Sequence, residues 1–231
     1  MRNRLRSNPD AMYLGLMLAL TFSTGVIDAV GFLGLDRVFT GNMTGNVVIL
    51  GMALTGADDL PIAGPVIALA AFLLGAVIAG RILLRLEAGW STRSTVLFGF
   101  VGLVLLAAAV PMFLTDSTRP EWLALSVTGL LGLAMGLQAG TARHIAVKDV
   151  TTVVVTSTLV GLAFDSRLGG NAKQQWRRRL GAIVLIGAGA ALGALLLRFH
   201  IGAGMTASAV LTLAVALLGH FGRPEPAEET E

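Results

Sequence analysis

The chain has 231 residues, of which 55% are hydrophobic and 13% charged, with a mean hydropathy of +0.78 and a formal charge of +3. A soluble domain is about 25% charged, so this chain cannot cover its exterior with polar side chains; a soluble enzyme and a disordered chain are both excluded. No cysteine is present, which removes disulfide scaffolds and thiolate chemistry, and the 17 Lys and Arg residues fall in short clusters rather than an aromatic-interleaved stripe, so nucleic acid is not expected as a partner.

A helix needs about 20 predominantly apolar residues to cross a bilayer. Ala11–Leu35 meets this with a single charge, Asp28. Arg2, Arg4 and Arg6 precede it as in a secretory leader, but the apolar run is too long and no small-x-small site follows, so it reads as a retained first helix. Thr40–Ala57 comes next; it begins polar (Thr40, Asn42, Thr44, Asn46) and ends in the apolar run Val47–Leu54. Pro61–Gly80, Ser94–Thr115 and Trp122–Ala142 are uncharged crossings. Val150–Phe164 again begins polar, with Thr151, Thr152, Thr156, Ser157 and Thr158, and is followed by the crossings Leu180–Leu197 and Ile201–Gly219.

Loop charge decides between six and eight spans. With six crossings and the N-terminus inside, 14 basic residues lie inside and three (Arg37, Arg119, Arg198) outside; with eight, the split falls to ten against seven. Lys/Arg bias in short loops sets orientation, so the expectation is an all-α, multi-pass protein of the bacterial inner membrane with both termini cytoplasmic. It has six transmembrane helices plus two short broken or re-entrant segments. Trp90, Trp122 and Trp176 fall at or near span ends, where a headgroup layer suits them. Residues 222–231 form an acidic cytoplasmic tail.

The two polar-headed segments occupy equivalent places. At an offset of 111, Gly25–Ala29 overlies Gly136–Gly140 and Arg37 overlies Lys148; Gly80 and Arg85 overlie Gly193 and Arg198 at 113. The chain therefore reads as a single membrane domain, 1–231, of two repeats, approximately 11–115 and 122–221. Three crossings per repeat is an odd number, so the halves face opposite ways, giving two inverted-topology repeats.

Gly25-Val-Ile-Asp28-Ala29 followed by Phe39-Thr-Gly-Asn-Met-Thr-Gly-Asn46 resembles the leading signature of the YoaK family of small bacterial inner-membrane proteins of unknown function. Gly136-Leu-Gln138 and Thr151–Thr158 look like that family's second block, and the resemblance runs from about Tyr13 to about Phe221. Two positions depart from it: Ala139 stands where an Asn is expected, and Thr156-Ser157 where a Thr-Gly pair is expected. The family implies a membrane protein commonly suspected of transport, and no specific activity.

Among individual residues, Asp28 stands out, because a carboxylate in the hydrocarbon costs roughly 2.5–3.5 kcal/mol on insertion scales. It reads either as a proton- or cation-coupling group or substrate contact, or as an interhelical link, for instance to Arg37. Thr40, Asn42, Thr44 and Asn46 suit interrupted backbone, whose half-helix N–H groups attract anions; the bland reading is close helix packing. Gln138, Thr152, Thr156 and Thr158 are their counterparts. Arg177, Arg178 and Arg179 read as an anchor for lipid headgroups, and Gly187, Gly189 and Gly193 as a flat face for contact within the chain or across a homodimer. Three scattered histidines make no metal site, and no cofactor is expected.

The leading expectation is a small secondary transporter or permease carrying a small polar or anionic substrate with a coupling proton or cation. The alternative is a non-transporting structural or partner protein. No nucleophile–base pair at recognisable spacing supports an enzyme.

Overall fold

A computed structural model describes residues 9–57, 59–115, 119–147, 155–166 and 176–223. The expectations placed on Arg2, Arg4, Arg6, Lys148, Thr151, Thr152, Lys173 and the tail from Pro224 lie outside these residues.

The described residues form eight helices: α1 (Pro9–Gly34), α2 (Met43–Ala53), α3 (Ala63–Leu83), α4 (Thr92–Leu114), α5 (Glu121–Ile145), α6 (Val155–Phe164), α7 (Trp176–Leu197) and α8 (Ile201–Gly222). Six of them are long and apolar enough to cross a membrane. At 1.5 Å per residue, α2 and α6 reach only about 16 and 15 Å, half of the hydrocarbon thickness. The chain is thus an all-α, multi-pass membrane protein with two short apolar helices in addition to its spans, as the sequence reading anticipated.

The helices divide into a core and a periphery. In their most apolar windows α3 and α7 are 22% and 17% buried, whereas α1, α4, α5 and α8 are 50–67% buried. Leu73, Leu74 and Val77 on α3 and Val184 and Leu195 on α7 are exposed, and in a bilayer these surfaces face lipid. Each peripheral helix is fixed to one core helix: α3 packs most extensively on α5, and α7 on α1. Both seams are made by glycine. A Cβ on Gly25 would strike the Ile186 carbonyl, and one on Gly189 that of Phe22; Gly136 and Gly75 meet Phe72 and Leu133 carbonyls in the same manner. Lipid gives helices no hydrophobic reason to associate, so close backbone approach supplies the contact. Gly189 and Gly193 therefore spend their flat face within the chain, on α1, and Gly187 meets open space.

The remaining contacts follow the same plan. α4 packs on α8, α1 on α8, α4 on α5, α2 on α3, α7 on α8 and α6 on α7, with slighter contacts of α1 on α5 and α3 on α4. The core is sealed by Leu97, Val101 and Leu105 of α4, Leu131 and Met135 of α5, and Met205 and Ala209 of α8. Several polar side chains inside it are satisfied locally or across helices. Thr21 and Thr24 donate to the carbonyls one turn back, at 2.9 and 3.0 Å, and Ser23 bonds Ser208 and Thr212 of α8.

One aromatic near a span end is buried. Trp90 is 7% exposed, stacked on Tyr13 and tilted against Phe98, with its indole N–H donating to Thr95 at 2.9 Å. At its span end it closes a second core cluster. Trp122 and Trp176 are exposed.

Candidate functional site

The site grows from the end of α1. After Gly34 the chain reverses through Asp36 and Arg37, both left-handed at φ 62° and 56°, and runs back alongside α1 to Asn42. It reaches the level of Asp28, six residues before the end of α1 and so about 9 Å along the axis from it. There the backbone N–H groups of Thr40, Gly41 and Asn42 all donate to Asp28 Oδ1, at 3.0, 2.7 and 3.3 Å. Gly41 is required at this approach: a Cβ would stand 2.7 Å from the Thr24 methyl and 3.4 Å from both Asp28 oxygens.

The helix α2 starts immediately afterwards. Asn42 is its N-cap, accepting from Gly45 N at 3.3 Å. The half-helix expected over Val47–Leu54 thus begins four residues earlier, at Met43, because the cap lies in the Thr-Gly-Asn run itself. Asn46 holds the returning chain with both ends of its amide. Its Oδ1 accepts from Phe39 N at 2.9 Å and its Nδ2 donates to Phe39 O at 2.6 Å. The Phe39 ring stacks on Phe32 of α1, centroids 4.8 Å apart.

Beside this knot lies a cavity of about 850 Å³. Thr24, Asp28, Asn42 and Thr44 give its polar wall, with Phe32, Phe39, Val48, Ile49 and Met52 between them; Arg37 borders it from the reversal. The far wall comes from the second half of the chain: Val155 and Thr156 of α6 and Ile186 of α7. The structure therefore brings Asp28, Asn42, Thr44 and Thr156 to one space.

Others of the expected residues take different places. Thr40 is fully buried, its N–H on Asp28 and its hydroxyl without a partner among the described residues. Asn46 is a backbone clamp, and Thr158 is not on the cavity wall. Gln138 is 1% exposed and donates through Nε2 to Thr24 Oγ1 at 3.0 Å, while its Oε1 has no partner among the described residues. Thr24 fixes that orientation: its hydroxyl proton already goes to the Leu20 carbonyl, so it can only accept. Thr152 lies outside the described residues.

The Arg177–Arg179 run divides. Arg177 lies over the Trp176 ring, 5.6 Å from its centroid. Arg179 is drawn inward, donating to Asp165 Oδ2 at 2.6 Å and to the Gly161 carbonyl at 2.5 Å, with 15% of its side chain exposed. It ties α6 to α7.

Sequence reasoning passed over Thr24 and the aromatic wall of Phe32 and Phe39. A signal was present: Thr21, Thr24 and Asp28 repeat at three and four residues, so they form one polar stripe on α1.

Comparison with known proteins agrees with this architecture. The transmembrane protein YoaK of Bacillus subtilis (strain 168), described as UPF0700, is 28% identical over 151 residues, 65% of this chain and 65% of that protein's length. No solved structure matches the chain. A family model described as "Protein of unknown function (DUF1275)" matches residues 16–218, nearly the whole chain. This multi-pass membrane protein belongs to the DUF1275 family.

Proposed function

We propose that the protein is a small secondary transporter or permease of the bacterial inner membrane, with both termini cytoplasmic. Its substrate site is the cavity beside Asp28, set between two inverted three-helix repeats. The observation that carries this reading is the cavity's makeup. A half-helix and the deep carboxylate of α1 form one side, and the other half-helix and α7 close it from the second half of the chain. The repeat reading is supported by the packing. Exchanging α1–α4 with α5–α8 turns α3 on α5 into α7 on α1, α4 on α5 into α8 on α1, and α2 on α3 into α6 on α7. Rocking of one repeat against the other would expose such a site to each side in turn.

The alternative, a structural partner protein, draws on a specific observation: Asp28 Oδ1 and Asn46 spend their hydrogen bonds on the chain's own backbone. The absence of native cysteine gives a clean discrimination. Thr44→Cys and Thr156→Cys, each placed singly and reconstituted in vesicles, are treated with a membrane-impermeant maleimide from either side. A transporter leaves both positions reachable through water, with reactivity from the two sides changing as substrate is added. Complete inertness of both thiols from both sides refutes the aqueous cavity and the transport reading with it.

A further inference from the structure

What the cavity accepts can be argued from its walls. An open half-helix N-terminus suits an anion, because unpaired N–H groups and the helix dipole both favour negative charge. Here much of that position is taken up. In the run leading into α2 the N–H groups of Thr40, Gly41 and Asn42 point at Asp28 Oδ1, and in its first turn Met43 N bonds the Gly41 carbonyl while Asn42 Oδ1 caps Gly45. An incoming anion meets a carboxylate where it needs donors. The dipole of α2 contributes about half a positive charge, so a full carboxylate charge leaves this end of the cavity negative. Arg37 also borders the space, but it is exposed in the reversal beyond α1, where solvent and salt screen it; Asp28 is 8% exposed.

A bare inorganic cation is a poor occupant for a different reason. It must exchange its hydration shell for about six close oxygens, and this wall scatters a few among Phe32, Phe39, Ile49, Met52 and Ile186 over about 850 Å³. That volume lies within the range of roughly 300–1,000 Å³ that holds drug-sized molecules. Stacked rings and a thioether are the surfaces on which a diffuse positive charge rests well. We infer that the cavity takes a lipophilic organic cation of the ammonium type, its charged centre toward Asp28 and its apolar body against Phe32, Phe39, Met52 and Ile186. This inference names a substrate class for the proposed transporter and rests on that reading, while its binding test stands apart from transport.

Tetraphenylphosphonium and tetraphenylborate share size and shape and differ in sign. Calorimetric titration of the purified protein in detergent should show saturable binding of the cation and none of the borate. Asp28→Asn keeps an acceptor oxygen for the three N–H groups and should weaken binding at least about tenfold, as loss of a buried charge partner does. Phe39→Leu should weaken it severalfold without touching the carboxylate, and Glu87→Gln, exposed and away from the cavity wall, should bind as the parent does. Equal binding by the parent and Asp28→Asn, or preference for tetraphenylborate, overturns the inference. Asp28-dependent binding without uptake into vesicles keeps the cation site and refutes transport. Uptake of an anion that ignores Asp28→Asn does the reverse.

Discussion

Replacing Asp28 tests whether the returning loop depends on one oxygen atom. Asp28→Ala removes the shared acceptor of three backbone donors. A buried donor left without a partner costs about 1–3 kcal/mol. The Thr40 and Gly41 N–H groups are buried, whereas Asn42 N, part-buried at 3.3 Å beside the cavity, can turn to water. Two full penalties give a loss of about 2–6 kcal/mol. Asp28→Asn retains a carbonyl oxygen in the same place and gives up only the charge assistance, about 1 kcal/mol per bond. Amide hydrogen exchange over residues 39–45 reads this directly in detergent. The expected order of protection is parent, then Asn, then Ala, with the Ala variant losing most of it. Peptides from α4 and α8, which Asp28 does not touch, should exchange as in the parent. Equal protection at 39–45 in all three proteins would show that the carboxylate does not hold the loop, and the cavity wall built on it would lose its basis.

Two further substitutions probe the helix seams. Gly136→Val should abolish recovery of folded protein, because its Cβ meets the Phe72 carbonyl rather than a movable side chain; Gly80→Ala, in open space, should be neutral or stabilising by up to about 1 kcal/mol. Size-exclusion profiles in detergent separate these outcomes, and a well-behaved Gly136→Val protein would refute the α3–α5 contact. Gln138→Met removes a bond to Thr24 but also a buried carbonyl oxygen without a partner among the described residues. The two effects offset, so thermal unfolding should stay within about 1 kcal/mol of the parent, and a marked loss of stability would show that Oε1 is engaged.

Much of this architecture was legible because the bilayer restricts the choices. Six apolar runs of sufficient length, basic loops between them and polar heads on two short segments led to six spans and two half-helices. Asp28 and the Thr40–Asn46 block were legible for a related reason: polar residues at membrane depth must be satisfied by something. The partner was not legible. Arg37 is close in sequence and opposite in charge, yet the recorded bonds to Oδ1 come from backbone N–H groups, which no side-chain pattern announces. Asn46 was open to a ligand role for the same reason, and its amide is matched to the Phe39 peptide. Trp90 and Arg179 look like interface residues by position; their burial depends on Tyr13 and Asp165, supplied by distant segments.

The two half-helices are not held alike, and the difference has a measurable consequence. In the offset that aligns the halves, Asp28 falls on Ala139, so α5 carries no carboxylate at the equivalent position. Whereas α2 buries Asn46, Ile49 and Ala53, α6 buries no residue and, among the described residues, packs on α7 alone. One tie of this helix is Arg179, bonded to Asp165 and to the Gly161 carbonyl near its C-terminal end. A charged hydrogen bond contributes about 1.5–3 kcal/mol, and partial exposure of both side chains lowers this toward about 2 kcal/mol, or roughly a 30-fold change in an opening equilibrium. Arg179→Gln should therefore speed amide exchange across 155–165 by about that factor while leaving α2 unchanged. Asp165→Asn should act in the same direction but more weakly, since the Gly161 bond survives. Unchanged exchange in α6, or an equal rise in α2, would show that Arg179 does not hold this helix in particular, and that its freedom is set by the rest of the bundle.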